Sequence, residues 1–552
     1  MGLFEAKNLT FHYPDSEQPA LWEVSFSIEP GEFVVLCGPS GGGKSTLLRL
    51  LKREIAPHGH TNGAIFYKGQ ALESVDAACQ AKEIGFVFQD PENQIVMDRV
   101  LEELVFGLEN LGTPLLEIQR RLAEMVHAFG LEILLQKKTE ALSGGQKQLI
   151  NLASVLLLEP DVLLLDEPLA QLDPVTAKEF LSTIKRMNED YGLTVLMVEH
   201  HLEDVMPLSD RLIVLDQGKK RYDGNPRKVI HEMGRRKEET FHRYLPSPTV
   251  LYLETFQKEG GEPETIPLNV KEGRRWLAQL DSVVQNQKPL HIEARLKGKK
   301  AVNSPSPILE ARNIDFQYER DQVWLLDQLS VSVQKGECLT ILGANGSGKS
   351  TLLKVLAGLI KPQAGALYFE GKKVKRTLPA EIGYLPQNPK LFFLHDSILE
   401  EYEQLTSTQG DRRRVDEEIE DYLHQFGLSE QKSNHPYDLS GGELQKAALI
   451  GVLLQHPTVL LLDEPTKGLD PVAKEDLASY LIKLKKSGMT LVMVTHDVEF
   501  ASTVSDQCAM LFQGVLTGQG PVDDFFKGNT YYTTTVNRLT RNQETVPEVV
   551  TL

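Results

Sequence analysis

The chain has 552 residues, of which 41% are hydrophobic, and a formal net charge of −18 at pH 7. That length accommodates more than one domain with its own core. The acidic balance argues against broad contact with nucleic acid, whose affinity depends on Lys and Arg neutralising phosphates, so we expect no nucleic-acid partner. The four cysteines are too few and too scattered for a disulfide framework. The N-terminus lacks a signal-peptide layout, and no run approaches the ~18 apolar residues of a membrane span.

A glycine-rich loop lies between an apolar strand-like run at 33–37 and a helix-like run at 47–51. It consists of Gly38, Pro39, Ser40, Gly41, Gly42, Gly43, Lys44, Ser45 and Thr46. This order of strand, loop and helix predicts a phosphate-binding loop, whose backbone N–H groups surround a β-phosphate at a helix N-terminus. Lys44 would reach the β- and γ-phosphates, and Ser45 would offer its hydroxyl to Mg²⁺. A plain glycine turn is the alternative.

The same loop recurs after a second strand-like run at 338–342. It consists of Gly343, Ala344, Asn345, Gly346, Ser347, Gly348, Lys349, Ser350 and Thr351. Other landmarks of the first half also recur in order, roughly 300 residues later, which indicates a fused duplicate. Since a plain turn is not expected to recur in this context, the chain is predicted to bind nucleotide at two places.

Two of the duplicated landmarks are weak by themselves. Tyr13 and Tyr318 lie in alternating strand-like segments before the loops, where core packing and stacking on adenine both remain open. Gln89 and Gln387 each follow an apolar strand, and one Gln alone indicates no chemistry.

A serine followed by two glycines opens a helical pattern in each half. The segments are Ser143, Gly144, Gly145 and Gln146, and Ser440, Gly441, Gly442 and Glu443. Such a serine can be a helix N-cap, and the same helix terminus can bind an anion. Duplication at equivalent positions favours the second interpretation.

Each half then has an apolar run that ends in two carboxylates, Asp166 with Glu167 and Asp463 with Glu464. Such runs are typical of strands in a parallel sheet, and ligands bind at the carboxyl ends of these strands. The aspartate suits Mg²⁺, and the glutamate can orient or deprotonate an attacking water. A histidine follows the next strand in each half, at positions 200 and 496.

Together these landmarks resemble the tandem ATPases of the ABC superfamily, over nearly the whole chain apart from the linker and the C-terminal tail. The resemblance implies an α/β fold with two tandem P-loop ABC-type ATPase domains. Each would have a mainly parallel sheet core, an antiparallel β subdomain and a helical subdomain. It implies ATP and Mg²⁺ as cofactors, and it implies two halves that pair head to tail, so that each nucleotide lies between one half's P-loop and the other half's serine-glycine segment.

The resemblance also assigns roles to the residues. The expected catalytic residues are Glu167, Glu464, His200 and His496. The expected metal ligands are Ser45, Gln89, Asp166, Ser350, Gln387 and Asp463. The expected nucleotide-binding residues are both glycine loops, Tyr13, Tyr318, Gln89, Gln387 and the segments 143–146 and 440–443. The loops 170–173 and 467–470 resemble segments that touch the opposite site. Because Glu443 stands where the first half has Gln146, we expect modest asymmetry and not an inactive site.

The residues after Gln89 resemble one branch of this superfamily. Asp90 to Val96, with Phe106 to Asn110 and Val198 to Glu203, are similar to the ATPases of energy-coupling factor importers of vitamins and transition-metal ions. The resemblance implies a transmembrane coupling protein and a substrate-binding membrane protein as partners. It also implies a peripheral location at the cytoplasmic face of the cell membrane. Because residues 388–393 depart from the pattern, the two halves are expected to dock on non-identical surfaces.

The expected domains are a first ATPase domain at 1–225, a charged linker at 226–307, a second ATPase domain at 308–527 and a polar tail at 528–552. The linker includes basic clusters at 235–237 and 295–300, a short amphipathic helix near 270–280 and a Ser-Pro hinge at 304–307. Two other functions stay open. One is a soluble tandem ATPase acting on ribosomes or RNA, which a long basic hairpin in the linker would favour. The other is a sugar importer's fused ATPase, which often has a degraded second site.

Overall fold

The structure is a computed structural model that describes residues 2–14, 16, 18–236, 238–256, 265–284, 307–319, 323–374, 379, 381–541 and 550. The chain divides into two compact units, Met1–Trp276 and Leu277–Leu552. The basic cluster at 295–300 and most of the Ser-Pro hinge lie outside the described residues. Each unit contains two sheets and a set of helices.

The central sheet of the first unit has six strands in the order β10-β9-β3-β8-β7-β6. Their bounds are β3 Phe33–Cys37, β6 Ile84–Val87, β7 Val162–Asp166, β8 Thr194–Val198, β9 Arg211–Asp216 and β10 Lys219–Gly224. All neighbours are parallel except β10 and β9. Strands β3, β7 and β8 are buried along their whole length, as their continuous apolar sequences predict.

A four-stranded antiparallel sheet, in the order β2-β1-β4-β5, covers the phosphate-loop side of this core. Its strands are β1 Phe4–His12, β2 Leu21–Ile28, β4 His60–Tyr67 and β5 Gln70–Ala71. One apolar cluster joins its inner face to the helix after β3 and to the central sheet, with Phe11, Leu47 and Leu164 among its buried members. The glycine loop is therefore held between two sheets.

The helices of the first unit follow the sequence signals for helix ends. They are α1 Lys44–Leu50, α2 Ala77–Glu83, α3 Val100–Asn110, α4 Leu115–Phe129, α5 Gly144–Leu156, α6 Pro174–Tyr191, α7 Pro226–Arg236, α8 Glu239–His242, α9 Ser247–Phe256 and the first half of α10 Val270–Val284, within which the boundary between the units falls. Helix α6 begins because Asp173 accepts two backbone N–H bonds and Pro174 occupies the first turn, and it ends at left-handed Gly192. Helices α3, α4 and α5 share a separate apolar core, which is the predicted helical subdomain.

The second unit repeats this architecture. Its central sheet has the order β16-β17-β18-β13-β19-β20, and its antiparallel sheet has the order β12-β11-β14-β15. The strands are β11 Leu309–Phe316, β12 Leu326–Val333, β13 Cys338–Leu342, β14 Ala364–Phe369, β15 Lys372–Lys373, β16 Ile382–Leu385, β17 Val459–Asp463, β18 Thr490–Val494, β19 Gln507–Phe512 and β20 Val515–Pro521. The helices are α11 Lys349–Leu356, α12 Ile398–Leu405, α13 Arg412–Gln425, α14 Gly441–Leu453, α15 Pro471–Lys486, α16 Val498–Val504, α17 Val522–Gly528 and α18 Thr535–Thr540. The predicted α/β fold is confirmed in both units.

The segments expected to be a linker and a tail contain folded helices. Helices α7 to α10 follow β10, and α7 buries Val229, Ile230 and Met233. The first compact unit therefore extends past residue 225, and α10 occupies the segment where a short amphipathic helix was expected. After β20, helix α17 buries Phe525 and Phe526, and α18 lies within the expected tail. We call the segments after β10 and β20 the extensions of the first and second units.

Candidate functional site

The glycine loop of the first unit runs from the end of β3 to α1. Gly43 is the N-cap of α1 with φ 92°, a left-handed conformation in which a Cβ would lie 2.4 Å from the carbonyl oxygen of Ala20. The Lys44 side chain is buried, and its Nζ donates to the carbonyl oxygens of Gly38 at 2.9 Å and Pro39 at 2.8 Å. The ammonium group is therefore held against the backbone of its own loop, where it can meet a phosphate bound there.

A cavity of about 260 Å³ opens over this loop. Its wall consists of Tyr13, Ala20, Ser40, Gly41, Gly43, Lys44, Ser45, Thr46, Glu167 and His200. Tyr13 is 39% exposed, and its hydroxyl lies 3.0 Å from Thr46 Oγ1. Phe11 packs edge-on against its ring, with the ring centroids 5.0 Å apart. A partly exposed ring over a phosphate loop is suitable for stacking on a nucleotide base.

The serine of the loop meets the aspartate at the end of β7. Ser45 Oγ donates to Asp166 Oδ1 at 2.7 Å, and Arg49 lies 3.6 Å from the other carboxylate oxygen. Burial of Asp166 raises the pKa of its carboxyl, although the Ser45 hydrogen bond opposes the shift. Hydroxyl and carboxylate oxygens are the ligands that Mg²⁺ prefers. The residues present therefore fit this metal.

Glu167 connects three of the sequence landmarks. Its Oε2 accepts from Gln89 Nε2 at 2.8 Å, and its Oε1 lies 2.8 Å from His200 Nε2. The backbone φ of Glu167 is 45°, and its N–H donates to the carbonyl of Val198 at 3.1 Å. A non-glycine residue in this left-handed region is strained, and such strain concentrates at functional sites. The fold brings glutamine, glutamate and histidine together from three separate strand ends.

The second unit repeats the loop and the serine-aspartate contact. Lys349 Nζ donates to the carbonyls of Gly343 at 2.9 Å and Ala344 at 3.0 Å, and Ser350 Oγ donates to Asp463 Oδ1 at 2.8 Å. The Tyr318 hydroxyl lies 3.2 Å from Thr351 Oγ1, matching the pair in the first unit.

One residue of the second site was not foreseen. The Tyr384 hydroxyl donates to Asp463 Oδ2 at 3.1 Å, and the first unit has Phe86 at that strand position. Ser347 Oγ in the glycine loop is buried and has no hydrogen-bond partner among the described residues. That orphaned hydroxyl fits a bound phosphate oxygen.

The glutamate of the second site lies near two basic side chains. Glu464 also has a positive φ, 48°, and its carboxylate lies 2.9 Å from His496 Nδ1 and 3.7 Å from Lys349 Nζ. Burial favours the neutral forms of Glu464 and His496, but the attraction between these two side chains outweighs it. The attraction lowers the pKa of Glu464 and raises the pKa of His496. Gln387, in contrast with the half-buried Gln89, is exposed.

The serine-glycine segments cap α5 and α14 through matching capping boxes. Gln146 Oε1 accepts from the Ser143 backbone N–H at 3.1 Å, and Glu443 Oε2 accepts from that of Ser440 at 2.9 Å. Glu443 thus preserves the cap geometry. Its carboxylate also accepts a hydrogen bond from the Ser440 hydroxyl at 2.6 Å. Segment 143–146 is not among the residues that form the cavity wall in its own unit.

The loop after each glutamine is fastened by a buried glutamate that the sequence reading missed. Glu103 Oε2 accepts the backbone N–H groups of Val96 at 3.0 Å and Met97 at 2.8 Å. Glu401 Oε2 accepts those of Leu394 at 2.7 Å and His395 at 3.1 Å. The signal was available, because each glutamate lies at the same distance in sequence after its glutamine.

Another residue that the sequence did not single out lies next to His200. Glu199 is buried, and its Oε1 accepts the Leu169 backbone N–H at 3.1 Å. Burial, with the nearby Glu167 carboxylate adding to it, raises the pKa of Glu199 to about 8. The second unit has Thr495 at this position, so only the first unit has this buried acid beside its histidine.

These two sites define the class of protein: a tandem P-loop ATPase, in which a serine-aspartate pair and a glutamate-histidine pair meet over each phosphate loop. The chain belongs to the ABC transporter family, whose family model matches residues 21–170 and 326–467. The chain is an ATP hydrolase of this family. None of the described helices is long and apolar enough to cross a bilayer.

Full-length relatives agree with this assignment. A Bacillus thuringiensis subsp. konkukian (strain 97-27) protein, provisionally named an ABC transporter ATP-binding protein, is 44% identical over 544 residues, 98% of this chain and 95% of the relative. YkoD of Bacillus subtilis (strain 168), whose provisional name refers to HMP/thiamine import, is 31% identical over 96% of this chain and 93% of its own length. A crystal structure of archaeal ribosomal stalk protein aP1 with the archaeal ribosome recycling factor aABCE1 matches with TM-score 0.58 and 20% identity, over 94% of this chain and 91% of that chain, which is a likeness of fold alone.

Proposed function

We propose that this chain is the ATP-hydrolysing subunit that energises a membrane importer of the energy-coupling factor type. The substrate would be a vitamin, such as a thiamine precursor, or a cobalt or nickel ion. The protein would lie at the cytoplasmic face of the membrane, bound to a transmembrane coupling protein and, through it, to a substrate-binding membrane protein. The full-length similarity to YkoD supports this branch.

In the proposed sites each residue has one role. Lys44 would bind the β- and γ-phosphates of ATP, while Ser45, Asp166 and Gln89 would hold Mg²⁺, which neutralises phosphate charge when bound. Glu167 would accept the proton of the attacking water. His200 would donate to the γ-phosphate.

The corresponding roles in the second unit fall to Lys349, Ser350, Asp463, Gln387, Glu464 and His496. The exposed Gln387 differs from Gln89 in its surroundings, and the Glu464 carboxylate lies within an ionic group. We therefore propose that both sites hydrolyse ATP with unequal rates.

The observation that carries the importer role is the clamped loop after each glutamine. Its backbone is fixed by a buried glutamate, yet it presents apolar side chains to solvent: Val96 is 61% exposed and Leu394 86% exposed. A loop whose backbone is held in place while apolar side chains stay in water is suited to a protein partner, because less order has to be gained on binding.

The acids of this loop are used within the unit. Asp90 Oδ1 accepts the Glu92 backbone N–H at 3.1 Å, and Glu92 pairs with Lys147 at 2.6 Å. We therefore propose that apolar contact, more than the charge of Asp90 and Glu92, forms the docking interaction. In the second unit Asn388 caps the equivalent turn and Phe392 packs on the core, which supports non-identical docking surfaces.

The test is affinity purification of the tagged full-length protein from detergent-solubilised membranes, with mass spectrometry of what is retained. The wild type should retain small integral membrane proteins. Val96→Asp with Leu394→Asp should lose them while ATP hydrolysis by the isolated chain stays at the wild-type rate. Tyr191→Asp, at an exposed apolar residue on α6, is the matched control and should retain them.

Equal retention by Val96→Asp with Leu394→Asp would contradict this docking surface. Recovery of ribosomes in place of membrane proteins would contradict the importer role itself.

A further inference from the structure

In each unit a glutamate lies three positions after the site histidine and binds the extension of its own unit. Glu203 Oε2 accepts the backbone N–H of Ser247 at 3.0 Å and lies 3.4 Å from its hydroxyl. Glu499 Oε1 accepts the backbone N–H of Thr535 at 2.7 Å. Ser247 is the first residue of α9 and Thr535 is the first residue of α18. The same helical position is therefore bound in both units.

The first N–H groups of a helix have no partner within the helix, so their acceptors come from other segments. Each glutamate thus forms a charge-assisted hydrogen bond at a helix N-terminus. The bond joins the segment that carries the histidine to a helix lying outside the predicted ATPase domain.

The extension of the first unit is held by buried side chains, a hydrogen bond and an ion pair. Leu251 and Tyr252 on α9 are buried, and the fully buried Thr249 hydroxyl donates to the carbonyl of Pro267 at 2.6 Å. Helix α10 is joined to α7 by an ion pair between Glu272 and Arg227 at 2.8 Å.

The extension of the second unit is fixed in a corresponding way. Asn537 and Leu539 on α18 are fully buried, and the Thr534 hydroxyl donates to the carbonyl of Val550 at 2.6 Å. One apolar cluster contains Phe526 and Val550 from the extension together with Leu342 and Val498 from the ATPase core.

The segment between histidine and glutamate is held at both ends. In the first unit His200 meets Glu167 at 2.8 Å, Leu202 is buried, and Glu203 meets the extension. In the second unit His496 meets Glu464 at 2.9 Å, and Glu499 meets α18. The two extensions differ in sequence, yet each provides a helix N-terminus to the glutamate of its own unit. A glutamate that merely keeps a loop in water would not make the same contact in both units.

We propose that Glu203 and Glu499 are positioning residues for ATP hydrolysis: by fastening the segment after the histidine to the extension helix, they hold His200 and His496 in register with the γ-phosphate. This inference rests on the proposed role of the two histidines. It gives the extensions a function in each site, and it does not depend on which membrane partner the protein has.

The test is steady-state ATP hydrolysis by the purified full-length protein, without membrane partners. Glu203→Ala with Glu499→Ala should lower kcat roughly fivefold with KM for Mg·ATP unchanged, because a histidine that is no longer held in place loses contact with the γ-phosphate mainly in the transition state. Glu203→Gln with Glu499→Gln keeps an oxygen acceptor and should restore most of kcat. Glu232→Ala with Asp524→Ala, at exposed acids of the two extensions, is the matched control with wild-type kinetics.

Two outcomes would overturn the inference. One is wild-type kcat in the alanine variant. The other is a parallel loss of kcat, ATP affinity and Tm that the glutamine variant fails to restore, which would indicate a purely structural cap.

His200→Ala with His496→Ala separates this inference from the proposed site. If that variant hydrolyses ATP at the wild-type rate, the role of the histidines is wrong. If it is inactive while the glutamate-to-alanine variant has wild-type kcat, only the positioning role is wrong.

Discussion

Replacing Glu103 with alanine should release the loop that follows Gln89. The buried carboxylate of Glu103 accepts two backbone N–H groups, those of Val96 and Met97. Leaving a buried donor unsatisfied costs about 1–3 kcal/mol. Two donors lose their acceptor, but water can replace some of the lost bonding because this loop is partly exposed. We therefore expect the free energy of local opening to fall by about 2–3 kcal/mol, the lower part of the range for two donors. That change corresponds to about 30- to 150-fold faster exchange.

The assay is native-state hydrogen exchange, followed by mass spectrometry of a peptide that covers residues 94–99. Glu103→Ala should accelerate exchange at Val96 and Met97, while Glu103→Gln, which keeps an acceptor, should change it much less. Glu102→Ala, at the exposed neighbour on α3, is the matched control and should leave it unchanged. If the exchange rates of Val96 and Met97 in Glu103→Ala stay within twofold of the wild type, Glu103 does not hold this loop.

Three further predictions concern buried and reacting groups. Glu167→Gln with Glu464→Gln should nearly abolish ATP hydrolysis and leave nucleotide binding intact, and wild-type turnover would exclude both as bases. Burial raises the pKa of Cys37 to about 12, so iodoacetamide should label the partly exposed Cys79 of the native protein well before Cys37; faster labelling of Cys37 would contradict this. Because the pKa of Glu199 is raised to about 8, the stability that its protonated form gives is complete below the ordinary glutamate pKa and is lost as pH rises towards about 8. Glu199→Gln should therefore stabilise the protein more at about pH 9 than at about pH 5 in urea unfolding, and equal effects would contradict the buried acid.

The sequence by itself determined the duplicated α/β architecture, and it singled out residues that the fold brings together in each proposed site. This was possible because the decisive signals are local: a glycine loop needs a strand before it and a helix after it, and an apolar run ending in acids indicates a buried parallel strand. The segments that end β7 and β8 were therefore predictable as parts of one site, since neighbouring parallel strands bring their carboxyl ends together. The contacts of Ser45 with Asp166 and of Glu167 with His200 agree with that expectation.

Only the tertiary structure decided which other acids matter. Glu103 and Glu203 recur at matching positions of the two halves, but that repetition does not indicate what either carboxylate touches, and Glu199 has no counterpart in the second half. Their partners are backbone N–H groups of other segments: Glu203 meets Ser247, which lies in a part of the chain predicted as linker. Most of that extension was assigned to a linker because charge dominates its sequence: in α7 the buried Val229, Ile230 and Met233 stand among Arg, Lys and Glu, so the 3.6-residue period is hard to separate from the pattern of a solvated segment. Burial and helix-end bonding depend on segments distant in sequence, and the folded chain alone brings them together.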